Sequence, residues 1–550
     1  MTLETFFEKF DQFADAPDAV TKLRELVLDL AIQGKLVEPK ASDGDGHSLL
    51  KKLRTLPPER NSKSRSPKDI TVEPETPLEI PGHWALTTVE NTTRDTGFFC
   101  DGDWVESKDQ DPDGDVRLIQ LADVGDGEYR DRSSRFMTKS AAKRLNCSYL
   151  EAGDILVARM PDPLGRCCRF PGDSKPAVTV VDVCILRPNV TFFDPDFLVV
   201  AINCPRFRRL VSAQATGTTR SRISRSNLGV LPIPLPPLAE QKRIVAKVDE
   251  LMALCDRLEA QQQERETRHA ALARASLARF ADAPTPANLP FLFHPSYAIP
   301  PADLRKSILT LAFQGKLVPQ DPNDEPAEKD SECESPFDIP SDWRWKPLGR
   351  LGLCRTGKTP PTGDPTNYGL GFPFIGPGQI TLSGRFIASE KSITPQGLEN
   401  STEAKAGDIL MVCIGGSIGK AAICREPIGF NQQINAVRLQ QDLPEFVYLA
   451  VTADYFQDQV LANASGSATP IINKGKWEQI PIPLPPLAEQ RRIVAKVEQL
   501  MALVDALETQ LAASRATAAN LLSALVAELT TPKTLLGLGM TNGRLSPTKP

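Results

Sequence analysis

Histidine is scarce in this 550-residue chain: His47, His83, His269 and His294 are the four present, and no two share a motif. That leaves no metal-ligand spacing and no serine–histidine pair. Cysteine numbers eleven, an odd count without one CxxC pair. The N-terminus, MTLETFFEKFDQF, lacks the basic and apolar regions of a secretory signal. No apolar run reaches the roughly 18 residues that a membrane helix needs. Reduced thiols in a cytoplasmic protein are therefore expected. Adjacent Cys167 and Cys168 could be redox-active, but a pair of small buried hydrophobes is the commoner fate. The formal net charge of -5 argues against indiscriminate nucleic-acid binding, although local patches rather than totals make an electrostatic footprint.

Three fragments imitate catalytic motifs. Gly352 to Thr359, GLCRTGKT, matches the phosphate-loop pattern G-x-x-x-x-G-K-[ST]. A phosphate loop needs a helix starting at its lysine, and Pro360-Pro361 follows at once, which disfavours helical backbone before it. Phe374 to Gly378, FIGPG, resembles the F-x-G-x-G turn of adenosylmethionine-dependent methyltransferases, but no NPPF or NPPY occurs to hold a target base. A turn is its expected role. Glu106-Ser107-Lys108 has nuclease E-x-K spacing without an upstream Pro-Asp pair. None of these supports an enzyme.

What the sequence does contain is a long-period duplication. LPIPLPPLAEQKRIVAKVDELMALCDRLE from Leu231 returns from Ile480 as IPIPLPPLAEQRRIVAKVEQLMALVDALE, identical at 23 of 29 places. LRELVLDLAIQGKLV from Leu23 returns as LRKSILTLAFQGKLV from Leu304. Ile80-Pro81 with Trp84 answers Ile339-Pro340 with Trp343, and Ala152 to Leu156 (AGDIL) answers Ala406 to Leu410. The period is too long for a solenoid, whose units run 20 to 50 residues. Between the matching pieces, Ala85 to Gly229 and Arg344 to Gln479 share little. Two similar domains on one constant frame, free to recognise different things, is the organisation implied.

The segmentation follows from punctuation and periodicity. An N-terminal helical segment covers 1–40, a linker 41–79, a first variable domain 80–235 and a first long helix 236–281. A linker over 282–303 leads to a repeat of the N-terminal segment at 304–318. A further linker (319–338), the second variable domain (339–484), a second long helix (485–530) and a flexible tail (531–550) complete the chain. In the long helices, Ile244, Val248, Leu251, Cys255 and Leu258, and likewise Ile493, Val497, Leu500, Val504, Leu507 and Leu511, alternate by four and three, as in a coiled-coil seam. Two such seams are natural mates for each other. The alternative is that each buries against its own domain.

The variable domains read as mixed α/β. Strand-like runs occur at Asp154 to Ala158, Val178 to Leu186, Asp408 to Ile414 and Ile434 to Leu439, and helical stretches at Phe197 to Ala213 and Phe446 to Leu461. Each helical stretch precedes a polar loop. Arg206 to Asn227, RFRRLVSAQATGTTRSRISRSN, holds six arginines and no acidic residue. There Arg220, Arg222 and Arg225 alternate with Thr218, Thr219, Ser221, Ser224 and Ser226, a mixture suited to phosphates and guanine edges. The second loop, ASGSATPIINKGKW, offers Lys474 and Lys476. Taken singly, each is a solvated basic run. Two at equivalent places ahead of the frame helices favour nucleic acid.

Paired IPLPPLAEQ-[RK]-RIV helices, paired LAxQGKLV segments and two dissimilar intervening domains resemble the specificity subunit of a type I restriction-modification system. The resemblance spans nearly the whole chain. It implies two α/β target-recognition domains joined by two long antiparallel helices, arranged circularly with pseudo-twofold symmetry, the N-terminal segment lying near the C-terminal helix. It implies double-stranded DNA, two methyltransferase subunits and restriction subunits as partners. S-adenosylmethionine and ATP with magnesium would reside in those partners, and no cofactor, metal or catalytic residue in this chain. The expected DNA contacts are Lys108, Arg159, Arg166, Arg220, Arg222 and Arg225 in the first domain, and Lys358, Thr359, Tyr368, Lys474 and Lys476 in the second. Glu240, Gln241 and Arg243, with their counterparts Glu489, Gln490 and Arg492, would serve the frame or grip the methyltransferases. The residues also leave open a coiled-coil adaptor binding two proteins and no DNA, which salt-insensitive association would reveal. A nucleotide-dependent enzyme would instead lose ATP binding on Lys358→Ala.

Overall fold

A computed structural model describes residues 16–57, 79–95, 98–161, 163–217, 220–285, 287–294, 297–327, 335–389, 391–466 and 468–530. Several stretches singled out above lie outside these: MTLETFFEKFDQF, linker residues 58–78, Thr218 and Thr219, part of the third linker, and the tail after Thr530. The chain divides into two units, Met1–Gln263 with Arg515–Pro550, and Glu264–Ser514. The long helices run Leu238–Asp282 and Leu487–Thr530. Each unit therefore contains the beginning of one long helix and the end of the other, the connectivity that the implied antiparallel pair requires.

In the first unit, the short helix Ala19–Ile32 is buried on two sides. Leu23, Leu26 and Leu30 pack with Cys255 and with Ala518 and Leu522 of the second long helix. Val27 and Ala31 pack with Trp84, Phe197, Ile244, Val248 and Leu251. The second unit repeats this, its short helix Pro301–Phe313 sharing a core with Ile493, Val497, Leu500, Val504, Trp343 and Phe446. Within each unit this is the alternative left open by the sequence, a seam buried against its own domain. The first turns of each seam are covered by the short helix and the unit's own variable domain, which offer larger apolar partners in tryptophan and phenylalanine.

Within each unit the duplicated fragments form a mutually touching cluster. Each short helix ends in a left-handed glycine: Gly34 at φ +66 and Gly315 at φ +68. Lys35 N–H donates to the Leu30 carbonyl at 3.0 Å, the long return bond of a helix-ending turn. A side chain on Gly34 would lie 2.3 Å from Pro81 Cγ, and on Gly315 2.3 Å from Pro340 Cγ. Beside them Trp84 and Trp343, each 1% exposed, donate their indole N–H to Glu240 at 3.1 Å and Glu489 at 3.0 Å. QGKLV, IP-x-x-W and PPLAEQ thus repeat together because each fixes the next.

Each variable domain is closed at its base by a two-stranded antiparallel ribbon, Ala85–Thr88 with Pro232–Leu235 and Arg344–Pro347 with Pro481–Leu484. Both strands of such a ribbon are edges, which is why the alternating prolines are tolerated. Above the first ribbon, one antiparallel sheet runs in the order Phe98–Asp101, Val183–Arg187, Ile155–Ala158, Cys167–Arg169. A second contains Phe136–Met137, Val116–Ile119 and Ala177–Thr179, the last pair parallel. The other domain has the same plan: Gly352–Thr356, Ile434–Leu439, Ile409–Val412, Ala421–Ile423, and beside them Ser392–Ile393, Tyr368–Ile375, Ile428–Phe430, Thr402–Ala404.

Several expectations change in detail. The run Val178 to Leu186 is two strands in different sheets, separated at 180–182, and its uniform apolarity reflects burial in both. The stretch Phe197 to Ala213 is two helices broken at Cys204 before Pro205, where helical backbone is disfavoured. The linkers are partly packed. Gly46–Thr55 is a helix with Leu53 buried, Leu292 and Ile299 are buried against the end of the first long helix, and Phe337 meets Trp345 edge-on at 4.9 Å. The AGDIL aspartates anchor sheet arginines: Asp154 accepts from Arg187 at 2.7 and 2.8 Å, and Asp408 from Arg438 at 2.8 and 2.7 Å. Cys167 and Cys168 are free and buried, and burial pushes the Cys168 thiol up to about 11.

Candidate nucleic-acid interface

Matched backbone hydrogen bonds gather equivalent loops at one end of each variable domain. In the first, Thr216 and Arg222 exchange bonds of 2.9 and 2.8 Å, Ile223 N–H donates to the Arg159 carbonyl at 3.2 Å, and Asp103 N–H donates to Thr179 at 2.8 Å. In the second, Ser465 and Ile471 exchange bonds of 2.9 Å each, Ile472 N–H donates to Cys413 at 3.0 Å, and Lys358 N–H donates to Phe430 at 2.9 Å. Ser224 and Asn473 cap the following short helices, accepting from Asn227 N–H at 3.1 Å and Lys476 N–H at 2.9 Å. Arg220 thus corresponds to Thr469, Arg222 to Ile471, Arg225 to Lys474, Asp103 to Lys358 and Trp104 to Thr359. The backbone is held constant while its side chains differ.

This constancy has a counterpart among known proteins. The family described as "Type I restriction modification DNA specificity domain" matches twice, over residues 99–266 and 340–514. The chain belongs to this family of type I restriction-modification specificity subunits. It is 25% identical to the EcoEI specificity subunit of Escherichia coli, over 92% of this chain and 93% of that one. It is 28% identical to the EcoAI specificity subunit of Escherichia coli, over 60% of this chain and 62% of that one. A chain from a structure titled as the basis of complex assembly and conformational transition of the type I R-M system superposes with a TM-score of 0.52. That likeness, at 20% identity over 82% of this chain and 98% of the other, concerns the fold.

In this specificity subunit the basic run of the first domain is largely neutralised by carboxylates distant in sequence. Arg206 lies 3.8 Å from Asp29, Arg208 pairs with Asp126, Arg222 lies 3.5 Å from Asp182, and Arg225 lies 3.9 Å from Asp101. Arg225 also donates to the Phe99 carbonyl at 2.8 Å. Arg220 is exposed, with no polar partner among the described residues. Two expected contacts are corrected. Arg159, 6% exposed, donates to the Ile223 carbonyl at 3.0 Å and pairs with Asp101. Arg166, 5% exposed, donates to the carbonyls of Val124 at 2.7 Å and Leu121 at 2.9 Å. Both guanidinium groups are buried and tie loops together from within. Lys108 is exposed but pairs with Glu106 at 2.7 Å, in a segment that also carries Asp109, Asp111, Asp113 and Asp115. Its charge is offset locally.

In the second domain Lys358 is exposed, Thr359 donates to Gln432 Oε1 at 2.8 Å and Tyr368 donates to the Pro360 carbonyl at 2.7 Å. Lys474 lies 3.8 Å from Glu478, and Lys476 donates to the Asn463 carbonyl at 3.0 Å. Gly352–Thr356 is a strand and no helix begins at Lys358, so the phosphate-loop lettering has no phosphate-loop geometry. FIGPG is a strand end followed by a turn.

Glu240, Gln241, Glu489 and Gln490 are each at most 1% exposed. Gln241 accepts from Asp194 N–H at 2.8 Å and donates to the Phe192 and Pro236 carbonyls at 2.9 Å, fastening the domain to the helix. Gln490 accepts from Leu443 N–H at 3.0 Å in the same way. Arg243 pairs with Asp43 at 2.6 Å and Arg492 with Asp324 at 2.6 Å. All six make contacts within the frame. The four buried ones offer a methyltransferase no surface, which corrects their placement as partner contacts. Sequence reasoning missed Trp104, 68% exposed, and Gln432, because only the matched hydrogen bonds reveal that they share the loop cluster.

Proposed function

We propose that the chain reads an asymmetric, bipartite DNA sequence, each variable domain contacting one short half-site through its loop cluster. Arg220, Arg222 and Arg225 would serve the first half-site, and Lys358, Thr359, Tyr368, Lys474 and Lys476 the second. The observation that carries this reading is the pairing of identical backbone positions with unlike side chains, Arg220 with Thr469 and Arg222 with Ile471. One scaffold with two different lettered surfaces suits two different half-sites. Bidentate contacts to base edges are each worth about 1–3 kcal/mol of discrimination. The long helices would set the unread gap, as the half-sites of paired readers lie near one turn of DNA apart, roughly 34–36 Å.

The chain itself supplies no active site in this reading. It directs two methyltransferase subunits, which use S-adenosylmethionine to methylate adenine N6, and restriction subunits, which use ATP and magnesium. The test is to express the chain with its neighbouring methyltransferase in a methylation-free host and sequence the DNA for modified adenine. A gapped asymmetric motif, absent with the methyltransferase alone, is expected. Co-purification without any motif would refute the reading and favour a protein adaptor.

A further inference from the structure

In the second variable domain, strand Tyr368–Ile375 pairs out of step with Ser392–Ile393: Ile393 stands opposite both Tyr368 and Phe372. The three residues between, Gly369-Leu370-Gly371, are extruded as a bulge. Both glycines are demanded by that path. Gly369 has φ +150, and a Cβ on Gly371 would lie 2.4 Å from the Ile393 carbonyl oxygen. The leucine they bracket is 98% exposed, more than any other large hydrophobic among the described residues. The backbone is thus shaped to hold one apolar side chain out in water, where it adds nothing to the core.

The surroundings identify what covers it. Leu370 borders a groove of about 550 Å³ together with Thr359, Thr362, Tyr368, Phe374 and Lys391, and no carboxylate among the described residues lines that groove. Lys391 and Lys358 are exposed. Thr359, through its bond to Gln432, joins the groove to the loop cluster. Lysines suit phosphates, hydroxyls suit polar base edges, and the one apolar group on a base edge in the major groove is the C5-methyl of thymine.

We propose that Leu370 is a specificity-determining contact that packs against a thymine methyl in the second half-site. The inference rests on the DNA-reading function proposed above. It is tested with the chain assembled with its methyltransferase and DNA bearing the motif found by sequencing. Each thymine of the second half-site is replaced in turn by deoxyuridine, which removes the methyl alone. One replacement should weaken binding of the wild-type complex about fourfold, the worth of one buried methyl, and leave Leu370→Ala unaffected. Leu370→Met should restore the response. Leu370→Ala alters a fully exposed side chain, so its melting temperature should match the wild type and assembly should persist. An identical uracil response in wild type and Leu370→Ala, or a second half-site without thymine, overturns the proposal. A wild-type chain that directs no motif overturns the DNA-reading function, and this contact with it.

Discussion

Adding one methyl at Gly34 should destabilise the first unit by about 2–5 kcal/mol. Two contributions make up that figure. Left-handed backbone, here φ +66, costs a residue with a Cβ about 1–2 kcal/mol. The new Cβ would also lie 2.3 Å from Pro81 Cγ, 3.0 Å from Pro81 Cδ and 3.1 Å from Trp84 Cζ2. Neither neighbour can yield alone. The Pro81 ring is rigid, Trp84 N–H donates to its carbonyl at 2.9 Å, and the Trp84 indole is fixed to Glu240 at 3.1 Å. Overpacking of this kind costs about 1–3 kcal/mol. Pro81→Ala separates the two contributions, because it removes the Cγ and Cδ that the new Cβ would meet. In that background Gly34→Ala should show little more than the backbone cost. Urea denaturation of the purified chain, followed by tryptophan fluorescence, would compare Gly34→Ala in the two backgrounds. An equal loss of stability in both would refute the claim that the repeated QGKLV and IP-x-x-W fragments are fixed by mutual packing.

Arg220→Ala should leave stability unchanged and reduce the slope of log affinity against log salt by about one unit. Arg159→Ala should lower the first domain's melting temperature, since it strips buried bonds to Ile223 and Asp101; measuring both quantities for both variants checks the division between reader and scaffold. Glu489→Ala should cost about 1–3 kcal/mol by leaving the buried Trp343 N–H without an acceptor, and Glu489→Gln much less. Burial raises the Glu489 carboxyl above its ordinary value. The native state then holds that proton to higher pH than the unfolded state does. The stability it contributes is full below the unfolded value and is lost as pH rises through the raised one. Glu489→Gln should flatten that fall in denaturation midpoint between acidic and neutral pH, and an unchanged pH profile would count against it.

The sequence by itself determined the duplication, the family, the two variable domains and the long helices, because these rest on patterns that survive in one dimension: near-identical fragments, seam periodicity and proline punctuation. It also located both loop clusters, since each immediately precedes a conserved helix. Tertiary structure decided what the charged residues do. Arg206 to Asn227 has no acidic residue within it, yet Asp29, Asp101, Asp126 and Asp182 reach it from elsewhere in the chain. A basic run therefore reads as a binding surface until folding brings its partners near. Burial is equally non-local, and it turned Arg159, Arg166 and the Glu-Gln pairs from contacts into scaffold. It likewise set the first turns of each seam against a short helix about two hundred positions away in sequence. Leu370 shows the converse. Nothing in the sequence singles it out, and only the pairing of Ile393 with two residues at once shows that it is held away from the core.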